Sequence, residues 1–157
     1  MDIQRCTKES FCVIGKDGST NDGEGFIQRL WDEANSRYHE IASLVKTNEK
    51  GKPAGFWGCM SDMSKSFRPW EDGFTKGLYL AGAEVYDGSE APDGWTKWII
   101  PAYEYLRIKV ENGISDTFPA MIKYMRENNL ELAGAVHDFI CPEENGQPYM
   151  FFPIRRL

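Results

Sequence analysis

The stretch from Trp95 to Tyr105, WTKWIIPAYEY, places one carboxylate, Glu104, among four large aromatic side chains. Aromatic rings that line a cleft stack on flat ligands and attract cations through their negative faces. A carboxylate beside such rings is desolvated, which favours holding a cation or accepting a proton as a general base. Glu104 shares strand parity with Leu106 and Ile108, so we expect it to point inward with them. Alternatively, the strand begins at Tyr105 and Glu104 is solvated.

Further aromatic and acidic residues are candidates for the same site. Glu84 ends the apolar stretch LYLAGAEV and poses the same question as Glu104, while His137 and Asp138 are adjacent, so that one of them faces any cleft. A packed core and a ligand wall both use large aromatic residues, so both interpretations stay open for the tryptophans. The aromatic candidates are Trp57, Trp70, Tyr79, Trp95, Trp98, Tyr103 and Tyr105.

Composition excludes several classes of function. The net charge is −6 and no basic stripe is present, so a nucleic-acid partner is not expected. Four cysteines without a CxxC pair and two histidines are a poor set of metal ligands, so no metal or cofactor is expected. No apolar run is long enough to span a membrane, and the first twelve residues lack a signal core. We therefore expect a cytoplasmic protein with free thiols and no membrane partner.

Hydrophobic periodicity predicts two copies of one element order, strand–helix–strand–strand. The strands are predicted at 10–15, 55–62, 78–85, 104–113, 132–140 and 149–154. The first helix is predicted from an apolar stripe between Ile27 and Val45, and the second from Phe118 to Met125.

A local match between the halves supports a duplication. In the third element of each half, WGCMSD (57–62) aligns with AGAVHD (133–138). The sequence thus predicts an α+β fold made of two βαββ modules with antiparallel sheets, two main helices and a central ligand cleft at a pseudo-two-fold axis. We expect one domain over residues 1–157, with half-modules at about 1–88 and 100–157 joined by a loop.

The chain also resembles the GyrI-like (gyrase-inhibitor-like) small-molecule-binding domain family. The resemblance rests on motifs that follow one another along nearly the whole chain: FCVIGKDGST, LWDEAN, FWGCMSD, FRPWEDGFTKGLYLAGAEV, GWTKWIIPAYEYL and FFPI. It implies the tandem βαββ fold with a central cleft. Members of the family include effector-binding domains of multidrug-sensing transcription activators, in which a buried Glu meets cationic drugs. His137 and Asp138 stand near the corresponding place, and this chain is similar to the stand-alone form.

One stand-alone subfamily that this chain resembles is the cyclopropanoid cyclopropyl hydrolases. These enzymes open the cyclopropane of DNA-alkylating natural products by adding water inside an aromatic cage. The resemblance adds Phe152 to the candidate cage residues. It implies a hydrolase in which Tyr79 donates a hydrogen bond to the ligand carbonyl and Glu104 deprotonates the attacking water.

Three functions are therefore expected in turn. The first is a hydrolase that binds flat aromatic or cationic xenobiotics and protects the cell. The second is a binding protein that sequesters or senses such molecules without catalysis, and the third is an inhibitor that contacts a topoisomerase. The natural ligand and the oligomeric state are not encoded in any recognisable motif.

Overall fold

A computed structural model describes residues 2–157 as one antiparallel sheet with three α-helices. The strands are β1 (Ile3–Lys8), β2 (Phe11–Ser19), β3 (Phe56–Ser61), β4 (Leu78–Val85), β5 (Thr96–Ile100), β6 (Tyr103–Lys109), β7 (His137–Cys141) and β8 (Gln147–Arg156). The helices are α1 (Phe26–Ser36), α2 (Glu71–Phe74) and α3 (Ile114–Glu127). Within these residues, no helix combines the length and apolar character that crossing a lipid bilayer requires.

The sheet has internal symmetry. Its strand order is β1-β6-β8-β7-β3-β4-β2-β5, so each half contributes its strands in the same relative order on either side of the centre. The element order β2-α1-β3-β4 recurs as β6-α3-β7-β8. Strands β3 and β7 pair antiparallel at the junction, where Gly58 lies opposite Asp138. The predicted α+β class with two βαββ halves is confirmed, and the halves share one continuous sheet.

The connections between strands show that the sheet is strongly curved. β1 and β2 lie near opposite edges of the sheet, yet only residues 9–10 join them. The three residue steps from Lys8 to Phe11 span at most about 11 Å. Residues 101–102 join β5 to β6 in the same way. The two edges must therefore approach each other, which gives the sheet a closed concave face and a convex face.

The two faces have different contents because side chains alternate along each strand. Phe11 and Val13 of β2 point into the concave face, whereas Cys12 and Ile14 point to the convex face. On the convex face α1 covers the first half of the sheet, and α3 packs on the second half in a cluster centred on Met121. We call the convex face the helix face, because the space between α1 and α3 lies there.

Two strands and one helix boundary differ from the sequence prediction. β1 and β5 were not predicted, since β1 is an edge strand whose sequence IQRCTK leaves most residues partly or fully exposed and shows no apolar alternation. α1 ends at Ser36, although the apolar stripe continues to Val45. Ile41 and Val45 are still buried, but short 3-10 turns carry them. The periodicity predicted burial correctly and the helix end incorrectly.

Candidate functional site

A buried polar network joins the two halves on the helix face. Tyr79 of β4 donates a 2.9 Å hydrogen bond to Asp138 Oδ2 of β7. Trp31 of α1 donates its indole N–H to the Tyr79 hydroxyl at 3.1 Å. The carboxylate thus receives one hydrogen bond from a phenol that another donor already orients. The network connects α1, β4 and β7 through side chains that are distant in sequence.

The carboxyl group of Asp138 is short of partners. Its Oδ1 atom is buried and has no hydrogen-bond partner among the described residues. Burial raises the pKa of the Asp138 carboxyl to about 6, and the Tyr79 hydrogen bond offsets only part of that rise. A buried anion with a free lone-pair oxygen is costly unless a cation or a donor reaches it. The site therefore favours a positively charged or hydrogen-donating ligand.

Gly58 makes the network possible. Tyr79 reaches Asp138 by lying across Gly58, and a Cβ at that position would overlap the Tyr79 hydroxyl. Gly58 pairs with Ala81 on one side and with Asp138 on the other, so it occupies the gap between the two halves. A residue without a side chain is needed here because the phenol fills the space above the backbone.

An apolar cavity of about 270 Å³ opens beside this network, and we call it the inner chamber. Its floor comes from β3, β8 and the residue before β7, and its walls come from the 63–77 connection and from the first two turns of α3. The lining residues are Met60, Pro69, Trp70, Phe74, Ile114, Ser115, Phe118, Pro119, Val136 and Met150.

Strand register places the inner chamber next to Asp138. Met150, which lines the chamber, pairs directly with Asp138, and Val136 precedes Asp138 by two residues on the same face. Met60, also in the lining, pairs with Tyr79. The chamber therefore adjoins the carboxylate and the phenol across a row of apolar side chains.

The chamber walls are aromatic. Trp70 stacks on Phe26 at 6.4 Å between ring centroids and donates its indole N–H to the Leu78 carbonyl at 2.9 Å. Phe118 of α3 meets Phe74 edge-on at 5.0 Å, and it also packs on Phe152. Ring faces fixed in this way can stack on a flat ligand and attract a cation.

Most of the other predicted aromatics lie on the concave face, away from the chamber. There they pack into a cluster with His137, Phe139 and Phe151 beside them. Its predicted members are Trp57, Trp98, Tyr103 and Tyr105. All four are nearly inaccessible to solvent, and they form a packed core. The structure thus separates the candidate residues between two faces of one sheet.

Glu84 belongs to the concave face and already has partners. Its carboxylate accepts the Trp57 indole N–H at 3.1 Å and lies 3.3 Å from the Lys8 ammonium. Lys46 approaches it at 3.9 Å. The Lys8 ammonium also lies over the Phe11 ring at 4.5 Å. This carboxylate is therefore neutralised by cations that belong to the protein.

Glu104 does not point into either the chamber or the concave cluster, which corrects the orientation expected from strand parity. Its carboxylate lies 3.6 Å from Arg5 and 3.5 Å from Arg155, both of which are well exposed. Parity with Leu106 holds, but that face of β6 packs on α3, and Glu104 lies at the end of the strand. Tyr103 and Tyr105 take the opposite, concave face.

The remaining predicted residues have structural surroundings. Trp95 donates its indole N–H to Glu40 at 2.9 Å, and the buried Lys16 ammonium lies over its ring at 4.2 Å. His137 faces the concave side, accepts the Met60 backbone N–H at Nδ1, and has its pKa lowered by burial to about 3. Phe152 is fully buried below Phe118.

Sequence analysis brought Trp70, Tyr79 and Asp138 to the right face but missed several neighbours. Trp31 was interpreted as core on its helix stripe, and it is the hydrogen-bond donor to Tyr79. Phe74 was noted only as an aromatic residue in a polar connection. The chamber also uses Met60 and Met150, whose presence at strand positions carries no signal of ligand binding.

The four cysteines and the acidic residues give no sign of a further chemical centre. All four thiols are free, and burial raises the pKa of Cys59 well above its usual value, so that thiol is unreactive. Between residues 2 and 157, no three His, Cys, Asp or Glu side chains are grouped to hold a metal ion.

No protein-family model matches the sequence, and no curated protein matches it. Solved structures of the same fold do. The chain is similar to SAV2435 bound to tetraphenylphosphonium, with a TM-score of 0.67 and 13% identity over 99% of this chain and 94% of that chain. It is also similar to a bacterial transcription regulation protein from Staphylococcus aureus MU50 (0.62, 15%, 99% of each chain). A hydrolase from Listeria innocua shares the fold at 0.55 and 12% identity, over 98% of this chain and 91% of that chain.

Proposed function

We propose that the protein binds flat aromatic cations in the groove of the helix face. In this proposal the rings of the ligand enter the inner chamber and its positive charge lies near Asp138. The observation that carries the proposal is the buried Asp138 Oδ1, which has no partner in the described chain and adjoins an aromatic-lined cavity. A cation would supply the missing interaction.

The electrostatics favour a cation over a neutral ligand. The Asp138 carboxyl has a pKa of about 6, so it is mostly ionised at neutral pH. Removing it from water without a counter-charge is unfavourable, and a bound cation restores that loss. The net charge of −6 adds a general attraction for positive ligands. The aromatic walls contribute through their ring faces.

The similarity in fold to SAV2435 bound to tetraphenylphosphonium supports the same class of ligand. Tetraphenylphosphonium is a permanent cation surrounded by phenyl rings, and the groove offers a carboxylate surrounded by aromatic rings. At 13% identity the similarity supports the proposal through the shared fold.

A titration with tetraphenylphosphonium tests the proposal. Trp70 lines the chamber, so binding is followed by tryptophan fluorescence and confirmed by calorimetry. We expect saturable binding by the wild-type protein and a loss of affinity of about tenfold to a hundredfold in Asp138→Asn, because a charge-assisted interaction is lost. Glu104→Gln is the matched control, since it makes the same chemical change at an ion pair between exposed arginines.

The two variants separate the proposal from general electrostatic attraction. Equal weakening by Asp138→Asn and Glu104→Gln would show that only net charge matters. No measurable binding by the wild-type protein would reject the proposal.

A second candidate function is the ring-opening hydrolysis of cyclopropanoid alkylating agents. The observation that favours it is a carboxyl of pKa about 6, held by the Tyr79 phenol beside an apolar cavity, since such a group can act as a general base near neutrality. One solved structure of similar fold is named a hydrolase. Here Asp138 takes the role that the sequence suggested for Glu104.

The reaction would proceed by addition of one water. The water oxygen bonds to the electrophilic methylene while its proton goes to Asp138. The cyclopropane C–C bond breaks, and its electron pair moves to the conjugated carbonyl oxygen, which takes up a proton. Incubation with such an agent followed by mass spectrometry tests this step. A product with one added water, formed by wild type and Glu104→Gln and not by Asp138→Asn, is the expected result; unchanged ligand excludes hydrolysis while leaving binding intact.

A further inference from the structure

Phe74 separates the inner chamber from a second cavity on the helix face. This outer chamber has a volume of about 730 Å³ and is more polar than the inner one. Phe74 and Pro69 belong to the lining of both cavities. The outer chamber is lined by Pro69, Phe74, Ile122, Met125, Arg126, Asn129, Leu130, Glu131, Leu132 and Ile154.

The contacts of Phe74 are few. Its ring is 37% exposed and meets Phe118 of α3 edge-on, with 5.0 Å between centroids and 80° between planes. That edge contact joins the 63–77 connection to α3 between the two cavities. A single aromatic contact of this kind is weak compared with the burial of a core side chain.

The turn that carries Phe74 is held at its base and free at its tip. Glu71 and Lys76 exchange backbone hydrogen bonds of 2.7 and 3.1 Å, which close the turn. Residues 71–76 are all exposed, and Asp72, Gly73 and Phe74 have φ values of 52°, 67° and 67°. Left-handed backbone at Asp72 and Phe74 is unfavourable for residues with a side chain. Few contacts and an unfavourable backbone lower the cost of moving the tip.

We propose that Phe74 determines the length of ligand that this groove accepts, by dividing one continuous groove into two chambers. The inference rests on the proposed function and names its substrate class more narrowly. When the ring turns away from Phe118, an elongated aromatic cation occupies both chambers. Its ring system lies in the inner chamber, and a flexible tail extends along the outer chamber.

The size and the lining of the chambers favour such an elongated ligand. At about 270 Å³ the inner chamber alone lies just below the usual range of about 300–1,000 Å³ for small-molecule sites, which joining the outer chamber exceeds comfortably. The outer wall is apolar along Ile122, Leu130 and Ile154, and its charged members are one Arg and one Glu. An uncharged alkyl tail therefore suits the outer chamber better than a second charge.

Two probes that share one head measure the effect. Benzyltrimethylammonium is the compact probe, and benzyldimethylhexylammonium carries the same ring and charge with an alkyl tail. Calorimetry gives the dissociation constant of each for wild type, Phe74→Ala and the control Ile99→Ala, which also truncates an exposed apolar side chain. The quantity of interest is the ratio of the compact to the tailed dissociation constant.

We expect this ratio to rise about fivefold in Phe74→Ala, because the tail no longer has to break the edge contact with Phe118. In Ile99→Ala the ratio should match wild type. Phe118→Leu removes the other half of the contact and should raise the ratio in the same direction. If Phe74→Ala fails to fold, as judged by its thermal transition, Phe74→Leu replaces it.

The outcomes separate the inference from the function on which it rests. A ratio unchanged in Phe74→Ala, with the compact probe still bound, would overturn the role of Phe74 and leave the cation site standing. Equal weakening of both probes would show that Phe74 is only a wall of the inner chamber, and would overturn it too. If wild type binds neither these probes nor tetraphenylphosphonium, both proposals are rejected together.

Discussion

Tyr79 donates a 2.9 Å hydrogen bond to Asp138 across the junction of the two halves, although 59 positions separate them in the chain. The bond forms only because β3 and β7 pair at the centre of the sheet and because Gly58 leaves room for the phenol. It leaves the second carboxylate oxygen of Asp138 buried and free. A structural bond and an unsatisfied acceptor thus meet in one side chain, at the edge of the inner chamber.

The first prediction concerns the stability of Asp138→Asn. Burial raises the pKa of Asp138 from 3.8 to about 6, so the folded state prefers the protonated form. That preference stabilises the wild-type protein fully below pH 3.8 and is lost as the pH rises through about 6. The loss amounts to at most about 3 kcal/mol at 1.36 kcal/mol per pKa unit.

Urea unfolding at pH 4.5 and pH 7.5 measures this effect. The free energy of unfolding of the variant minus that of wild type should increase between the two pH values, because other titrating groups change equally in both proteins. A difference that does not depend on pH would mean that Asp138 titrates normally in the folded state.

The second prediction concerns the pH dependence of cation binding. Only the ionised Asp138 attracts a cation, so the affinity for tetraphenylphosphonium should fall as the pH drops below about 6, by about tenfold per pH unit well below the pKa. His137 has a pKa of about 3 and stays neutral in this range. Calorimetric titrations at pH 7.5, 6 and 5 test the slope, and Asp138→Asn should show none.

The third prediction concerns Gly58→Ala. The added methyl group would overlap the Tyr79 hydroxyl, so either the ring or strand β3 must move. We expect a loss of about 1–3 kcal/mol in unfolding free energy, as for other overpacked sites, together with weaker cation binding because Asp138 loses its oriented partner. Chemical denaturation and titration with tetraphenylphosphonium measure both quantities. Wild-type stability and affinity in this variant would contradict the role assigned to Gly58.

The fourth prediction concerns the ion pair on the concave face. Lys8→Met removes the cation that lies 3.3 Å from the buried Glu84 and leaves Lys46 at 3.9 Å and the Trp57 N–H as its partners. We expect a loss of about 1–3 kcal/mol, less than the full cost of isolating a buried charge because those partners remain.

The double variant Lys8→Met, Glu84→Gln serves as the control for this pair. It should recover part of the loss, and the resulting coupling energy in a double-mutant cycle measures the pair itself. Binding in the groove should be unchanged in all three proteins, because the pair lies on the other face of the sheet. Additive effects of the two substitutions would show that the pair contributes nothing.

The element order was predictable because it depends on local periodicity. The stripe from Ile27 to Val45 identified the burial of α1 and its following turns, and alternation identified six of the eight strands. β1 was missed because an exposed edge strand needs no apolar alternation. The duplication was visible as well, since both halves repeat the same pattern of periods.

The roles of the acids could not be predicted, because a strand has two apolar faces in this fold. Parity correctly grouped Glu104 with Leu106 and placed Tyr103 and Tyr105 opposite. It could not show that the Leu106 face meets α3, or that Arg5 and Arg155 reach Glu104 at the strand end. That information lies in the pairing of β1 and β8 with β6.

The stretch WTKWIIPAYEY therefore divides between two surroundings. By itself the sequence determined which of its side chains share a strand face, because alternation is a property of the extended backbone. Only the tertiary structure decided which face closes into a packed core and which one borders a groove, since that depends on the curvature of the sheet and on where α1 and α3 lie. For the same reason Asp138, one acid among many in the sequence, is the one left with a buried, unpartnered oxygen beside the chamber.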